Sequence, residues 1–443
     1  MCNNCGNDFP KWSGQCPLCK EWNTFKEIKI PNTPMKNKKG EISESKTLKD
    51  IESINERIIT KINEFDRVLG GGIVKDSFIL LTGDPGVGKS TLALQVASLV
   101  SQEKNVMYFS GEESPSQIAD RAKRILLGEG KKTNLENLKI SSENSLENIL
   151  TTLEKEKVEL VVIDSIQTIS SNSIPSISGS SSQVRFCTES LMYYLKKRGL
   201  ACILIGHVTK GGDFAGPQTL AHLVDCVLYL EGDKYHQFRM LRGQKNRFGS
   251  TSEIGIFEMI ENGLKEVKNP SEAFLEGRME NAEGSVIIPT IEGTRPFLIE
   301  LQALTSWSNF GYPKRTASGI DLNRLNLMIA VLQKHGNQKL DSLDVFVNIV
   351  GGFKISEPAA DLGLILAIAS SKLKKNIPND TIVLGEVGLS GEIRTVSHLE
   401  KRLKEAEKLG FKQAIIPNIK ENIKTKIELK KVKTIGETLK LIN

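Results

Sequence analysis

Apolar residues in the middle of this chain gather into short unbroken runs. Ser77–Thr82 (SFILLT), Asn105–Ser110 (NVMYFS), Glu159–Asp164 (ELVVID) and Ala201–Gly206 (ACILIG) are each too short for a helix and rich in Ile, Val or Leu. Such runs are expected of strands buried on both faces. Helical patterns follow at 90–102, 114–128 and 183–198. Strand alternating with helix predicts an α/β fold around a mostly parallel sheet. Strand-like runs at 226–231, 236–242 and 253–260 are joined by tight connections, and Asn262-Gly263 is a hairpin signal, so an antiparallel extension of that sheet is expected.

The last third has a different rhythm. Strands are expected at 284–289 and 295–304 around Glu292-Gly293-Thr294, then a helix near 321–335, a strand at 343–350 and a helix at 357–373. A hairpin through Leu389-Ser390-Gly391, a helix at 398–409 and a strand at 413–417 complete a separate α+β or α/β domain. Two breaks divide the chain. Residues 31–50 are polar, lysine-rich and nearly free of large apolar side chains, as in a linker, and a second shift comes at Lys268-Asn269-Pro270. The divisions expected are a cysteine-rich knuckle at 1–27, a linker at 28–57, a core at 58–268 and a C-terminal domain at 269–443.

Composition narrows the class. A chain of 443 residues is too long for one ordinary domain, and 39% hydrophobic with 25% charged residues suits a globular protein rather than a disordered one. No stretch reaches the ~18 apolar residues of a membrane helix; the longest candidate, Ala359–Ala369, contains Asp361. The start shows no basic-then-apolar leader, so a cytoplasmic protein is expected. A net charge of +6 permits nucleic-acid binding without demanding it.

The strongest local chemistry is Gly83-Asp84-Pro85-Gly86-Val87-Gly88-Lys89-Ser90-Thr91, a complete G-x-x-x-x-G-K-[ST] phosphate loop. A strand enters it and a helix leaves it, as the chemistry requires. Its glycines let backbone N–H groups turn toward phosphate oxygens, and the helix start adds partial positive charge. Lys89 is expected to reach the β- and γ-phosphates of ATP, with Ser90 and Asp164, which closes Leu160-Val161-Val162-Ile163, holding Mg²⁺. Glu112 and Glu113 lie just past the strand at 105–110. Glu112 is the expected base for water, with Glu113 as the alternative.

Of the seven cysteines, Cys2, Cys5, Cys16 and Cys19 form C-x2-C…C-x2-C, while Cys187, Cys202 and Cys226 are scattered. Two such pairs offer four thiolates in a tetrahedron, which points to structural Zn²⁺, with the other three as reduced core thiols. The segment is too small for its own core, so metal should supply its folding energy. Cys2 follows Met1 directly, so no strand is expected before the first pair.

Taken together, the knuckle, the phosphate loop and Lys245-Asn246-Arg247-Phe248-Gly249 (KNRFG) resemble the bacterial DNA repair family RadA, also called Sms. Ser110-Gly111-Glu112-Glu113-Ser114 and Gly206-His207-Val208-Thr209-Lys210 are similar to segments of that family. The resemblance spans the chain. It implies a RecA-like, ring-forming, homo-hexameric ATPase that acts on single-stranded DNA and promotes branch migration of recombination intermediates with a RecA recombinase, in a ring like that of the helicase DnaB. Lys245 and Arg247 are two apart and would share one face of a strand. Two roles stay open for them: stabilising charge at a neighbouring subunit's γ-phosphate, or contacting DNA phosphates. Lys210, in the glycine-rich segment Thr209–Pro217, is the leading DNA-binding candidate, and 170–182 reads as a loop of the same kind. His207 and His222 read as structural or coupling residues.

Residues 270–443 resemble the proteolytic domain of Lon, with its ribosomal-protein-S5-like fold. The position of the nucleophilic serine falls on Ala359 and that of the catalytic lysine on Glu400, beside Lys401. Ala359 has no oxygen to attack with, and Ser356 is three residues away. An inactive peptidase domain is therefore expected, one that builds the ring and offers Lys372, Lys374 and Lys375 as a basic surface. An ATP-driven switch acting on a protein partner, of the KaiC kind, is the alternative to a DNA motor.

Overall fold

The computed structural model describes residues 2, 11–17, 19–25, 56–127, 135–207, 220–232, 238–308, 311–420 and 423–442. The chain divides into two compact units, Met1–Lys234 with Arg239–Glu266, and Tyr235–Phe238 with Val267–Asn443.

In the first unit, β1 (Arg57–Ile58) and β2 (Ile73–Val74) pair on either side of α1 (Asn63–Leu69). The main elements then run β3 (Phe78–Gly83), α2 (Lys89–Val100), β4 (Val106–Ser110), α3 (Pro115–Leu127), β5 (Leu138–Ser141), α4 (Leu146–Lys155), β6 (Leu160–Asp164), α5 (Ser181–Lys197) and β7 (Ala201–Ile205). β8 (Cys226–Glu231), β9 (Phe238–Asn246), β10 (Ile254–Ile260) and β11 (Gly263–Glu266) complete it. They form a nine-stranded sheet ordered β11-β10-β9-β8-β3-β7-β6-β4-β5. From β8 to β5 the pairings are parallel, whereas β8–β9 and β10–β11 are antiparallel. This is a RecA-like core, as expected.

The apolar runs are buried on both faces because successive side chains point to opposite sides of a strand. Phe78 and Leu80 of β3 enter one apolar cluster with Val161, Ile163, Cys202 and Leu204. Ile79 and Leu81 enter the other with Leu160, Val162, Ile203 and the underside of α2. The β10–β11 hairpin pairs Ile260 with Gly263, so its two-residue loop is Glu261-Asn262, one residue earlier than the Asn-Gly signal suggests. Gly263 has φ 117°, and a Cβ there would lie 3.0 Å from Gln95 Oε1.

The second unit holds a mixed seven-stranded sheet ordered β14-β15-β13-β12-β16-β19-β20. In chain order these are β12 (Ser285–Glu292), β13 (Arg295–Trp307), β14 (Arg315–Ser318), β15 (Leu343–Ile349), β16 (Thr381–Val383), β19 (Gln413–Pro417) and β20 (Glu428–Val432). β17 (Glu386–Val387) and β18 (Ile393–Arg394) form the expected hairpin around Leu389-Ser390-Gly391. The helix Asp361–Leu373 is buried over ten consecutive residues from Asp361 to Ser370. Among the described residues, no helix is long and apolar enough to cross a membrane.

Candidate functional site: phosphate loop, carboxylates and thiol cluster

The phosphate loop leaves β3, which lies between β7 and β8 in the sheet. Gly83, Gly86 and Gly88 have φ of 147°, 77° and 110°, so this turn needs residues without a Cβ. A Cβ on Gly83 would lie 2.2 Å from the Leu230 carbonyl oxygen. Lys89, Ser90 and Thr91 open α2, so the first free N–H groups of that helix face the loop. Lys89 Nζ donates to the carbonyls of Gly83 (2.9 Å) and Asp84 (3.0 Å). Burial pushes the Lys89 ammonium below its ordinary range, against the pull of Asp164, Asp84 and Glu112. A buried cation held by two loop carbonyls, beneath a glycine cradle, fits a polyphosphate.

Asp164 ends β6, which is separated from β3 by β7. Its side chain still reaches the loop, because Ser90 Oγ donates to Asp164 Oδ1 at 3.1 Å. The other carboxylate oxygen accepts from the buried Tyr108 hydroxyl at 2.6 Å. Burial, then the Asp164 charge, holds the Tyr108 phenol well above its ordinary range, so it remains a donor. A hydroxyl beside an oriented carboxylate is a donor set that suits Mg²⁺.

The two adjacent glutamates part company. Glu113 is clamped by Arg121, with Nη1 to Oε1 at 2.9 Å and Nη2 to Oε2 at 2.6 Å. Glu112 is half-exposed, accepts from Ser165 Oγ at 2.8 Å, and lies 3.3 Å from His207 Nε2. Gly111 makes this approach possible, since a Cβ there would lie 2.1 Å from Thr168 Oγ1. Sequence reasoning missed Tyr108, Ser165 and also Arg239, a buried arginine whose Nε donates to the Val87 carbonyl of the loop at 3.3 Å. A charge inside the apolar run of β9 was the available signal for Arg239. The hydroxyl among the apolar residues of β4 was the one for Tyr108.

KNRFG lies elsewhere. β8 pairs Ile79 with Cys226 and Gly83 with Leu230, while β9 pairs Asn246 with Cys226. The motif therefore sits where β3 begins, at the opposite edge of the sheet from the loop that follows Gly83. Lys245 lies in β9 and Arg247 just past its end, so the shared strand face expected from their spacing is not the arrangement found. Both still meet one segment. Lys245 Nζ donates to the carbonyls of Ala221 and Val224, each at 2.8 Å, and Arg247 Nη1 lies 3.2 Å from Asp225 Oδ1. Asp225 is buried, and it also accepts from Phe78 N (3.0 Å) and pairs with Lys196 (2.8 Å). His222 is exposed. Lys210 and the segment 208–219 lie outside the described residues, as does most of the linker.

The Sγ atoms of Cys2, Cys16 and Cys19 lie within 4.8 Å of one another. Cys5 lies outside the described residues. Closely grouped thiols suit a soft divalent metal such as zinc. Burial raises the thiols of Cys187 to about 12 and Cys226 to about 11, and lifts Cys202 further, so these are inert core groups.

In the second unit, Ala359 is buried while Ser356, Glu400 and Lys401 are exposed. Arg402, next to Lys401 on the same helix, is buried instead. Its Nη1 and Nη2 donate to Glu357 at 2.9 and 2.5 Å, its Nη1 to the Pro289 carbonyl at 2.6 Å, and its Nε to the Ser397 carbonyl at 3.0 Å. Lys372 Nζ donates to Gln338 Oε1 at 3.1 Å.

Residues 58–270 match the family model described as "ATPase: KaiC", residues 1–27 that of the rubredoxin metal binding domain, and residues 325–420 that of subunit ChlI of Mg-chelatase. The DNA repair protein RadA of Bacillus subtilis is 48% identical over 427 residues, covering 94% of this chain and 92% of that protein. RadA of Listeria monocytogenes is 46% identical, covering 99% of this chain and 97% of that protein. RadA of Escherichia coli is 43% identical, covering 100% of this chain and 98% of that protein.

Proposed function

The chain belongs to the RadA family of bacterial DNA repair proteins, and on that premise we propose a DNA-dependent ATPase motor. It binds single-stranded DNA and uses hydrolysis to drive branch migration of recombination intermediates made by a RecA recombinase, as a homo-hexameric ring. The observation that carries this reading is the grouping of Lys89, Ser90, Asp164 and Glu112 at one edge of the sheet, with KNRFG at the other.

Each residue has a role in this proposal. Gly83 to Thr91 bind the phosphates, and Lys89 reaches the β- and γ-phosphates. Ser90 and Asp164 hold Mg²⁺, with Tyr108 fixing the Asp164 carboxylate. When bound, Mg²⁺-ATP supplies the phosphoryl group and the charge balance around it. Glu112 takes the proton from the attacking water at its carboxylate, since Glu113 is engaged by Arg121. Arg247, with Lys245, stabilises charge at the adjacent subunit's site, and Lys210 contacts the DNA backbone. Cys2, Cys5, Cys16 and Cys19 hold zinc. The domain at 269–443 builds the ring and has no peptidase activity, because Ala359 stands at the nucleophile position.

The test is ATP hydrolysis with and without single-stranded DNA, at two salt concentrations, for wild type and Lys89→Ala. Turnover should rise with DNA, fall as salt rises and vanish in the variant. Turnover indifferent to DNA at low salt would instead favour an ATP-driven switch acting on a protein.

A further inference from the structure

The zinc knuckle carries two tryptophans that its fold leaves in solvent, Trp12 at 74% exposure and Trp22 at 66%. A large indole left this open gains nothing for a small domain short of core, so its position calls for a partner. Both rings come close to one spot, and backbone bonds hold the Trp22 side of it. Gln15 and Trp22 form an antiparallel bridge, Asn23 N donates to the Gly14 carbonyl at 2.8 Å, and Cys16 N to the Glu21 carbonyl at 2.9 Å. A Cβ on Gly14 would lie 3.5 Å from the Trp22 ring and 3.8 Å from the Trp12 ring. Gly14 is thus a bare floor between two indoles.

We propose that Trp12 and Trp22 form a stacking platform for the bases of single-stranded DNA. Apart from Pro17, the exposed apolar groups among the knuckle's described residues are these two indoles. Among the described residues, exposed Lys11 and Lys20 flank them in sequence and offer cations to a backbone, against one exposed carboxylate, Glu21. Flat aromatic faces beside cations are the arrangement that binds single strands without sequence preference. The proposal rests on the DNA reading above and gives the knuckle a share in it.

The experiment uses the full chain and a fluorescein-labelled oligo-dT strand. Trp12→Ala/Trp22→Ala should weaken binding roughly tenfold or more, since each stacked base contributes substantially. Trp12→Phe/Trp22→Phe should restore most of the affinity, which a loss of folding would not allow. Zinc content and DNA-free ATP hydrolysis should match wild type in both variants, and the salt dependence should keep its slope because no cation is removed. An alanine variant with full zinc that binds oligo-dT like wild type overturns the platform and leaves the motor reading standing. If that variant keeps its DNA affinity but loses capture of a recombinase filament, the indoles are a protein-docking surface and the proposal fails. Absence of binding by wild type itself removes both readings.

Discussion

Two glutamates side by side show how far a single side-chain contact divides roles. Both follow β4 at the edge where the loop lies, and charge alone does not separate them. Glu113 has both oxygens committed to the Arg121 guanidinium, and a carboxylate so held is a poor acceptor for a water proton. Glu112 keeps an accessible carboxylate, oriented by Ser165 Oγ at 2.8 Å. Glu112→Gln should bind nucleotide with near wild-type affinity and lose about 10²- to 10⁴-fold in turnover, as expected when a general base is removed. Glu113→Gln should retain turnover within a few-fold and show only a lower unfolding temperature, because its loss falls on the Arg121 pair. Steady-state hydrolysis beside equilibrium binding of a fluorescent nucleotide separates these outcomes. The reverse pattern would move the base to Glu113.

At the scale of elements, what could be read from the sequence followed burial. β3, β4, β6 and β7 lie inside the sheet, bury both faces and stand out as apolar runs. β5 (LKIS), β14 (RTAS) and β20 (ELKKV) are all edge strands, short and partly polar, and they escaped notice. Edges carry polar side chains because an apolar edge would recruit other chains, so their apolar signal is weak, while β16, buried inside its sheet, was missed because its three residues are too short a run to stand out. The site divides in the same way. The loop is contiguous and was legible. Tyr108 with Asp164 joins residues 56 apart, Ser165 with Glu112 joins residues 53 apart, and Arg239 with Val87 joins residues 152 apart, so only the fold brings them together. In the second unit, alignment pointed to Glu400 and Lys401, but both face solvent and the helix Leu399–Lys408 buries Arg402 instead. Arg402 and Glu357 tie that helix to the segment before Ala359 and to β12 through the Pro289 carbonyl. Arg402→Ala should destabilise the unit by about 3 kcal/mol, because it leaves Glu357 without its cation in a confined place. Glu357→Gln in the same chain should recover part of that loss. Urea unfolding followed at the C-terminal transition would measure both, and an unchanged midpoint in the single variant would show the pair to be incidental.

For the molecule as a whole, the decisive geometry is the separation of the phosphate loop from KNRFG. Loop and motif sit toward opposite ends of β3: Asn246 is level with Ile79, four residue steps or ~13 Å along the strand from Gly83. Arg247 is 55% exposed at its end, so it is open to another molecule. A head-to-tail ring brings unlike surfaces of successive subunits together, and such an interface can join one subunit's loop to another's motif. If Arg247 acts across that interface, Arg247→Ala and Lys89→Ala should each lose about 10³-fold or more in turnover as pure preparations. Mixed in equal amounts and allowed to exchange subunits, they should regain activity. An Arg247→Ala subunit still offers an intact loop, and a Lys89→Ala neighbour still offers an intact Arg247, so about a quarter of random junctions would be complete. A DNA-phosphate role for Arg247 predicts something else. Arg247→Ala would then bind single-stranded DNA more weakly, the salt dependence of binding would lose roughly one charge of slope, and mixing would restore nothing beyond the sum of the two preparations. Turnover of the mixture, read beside the salt slope of DNA binding, decides between these two roles.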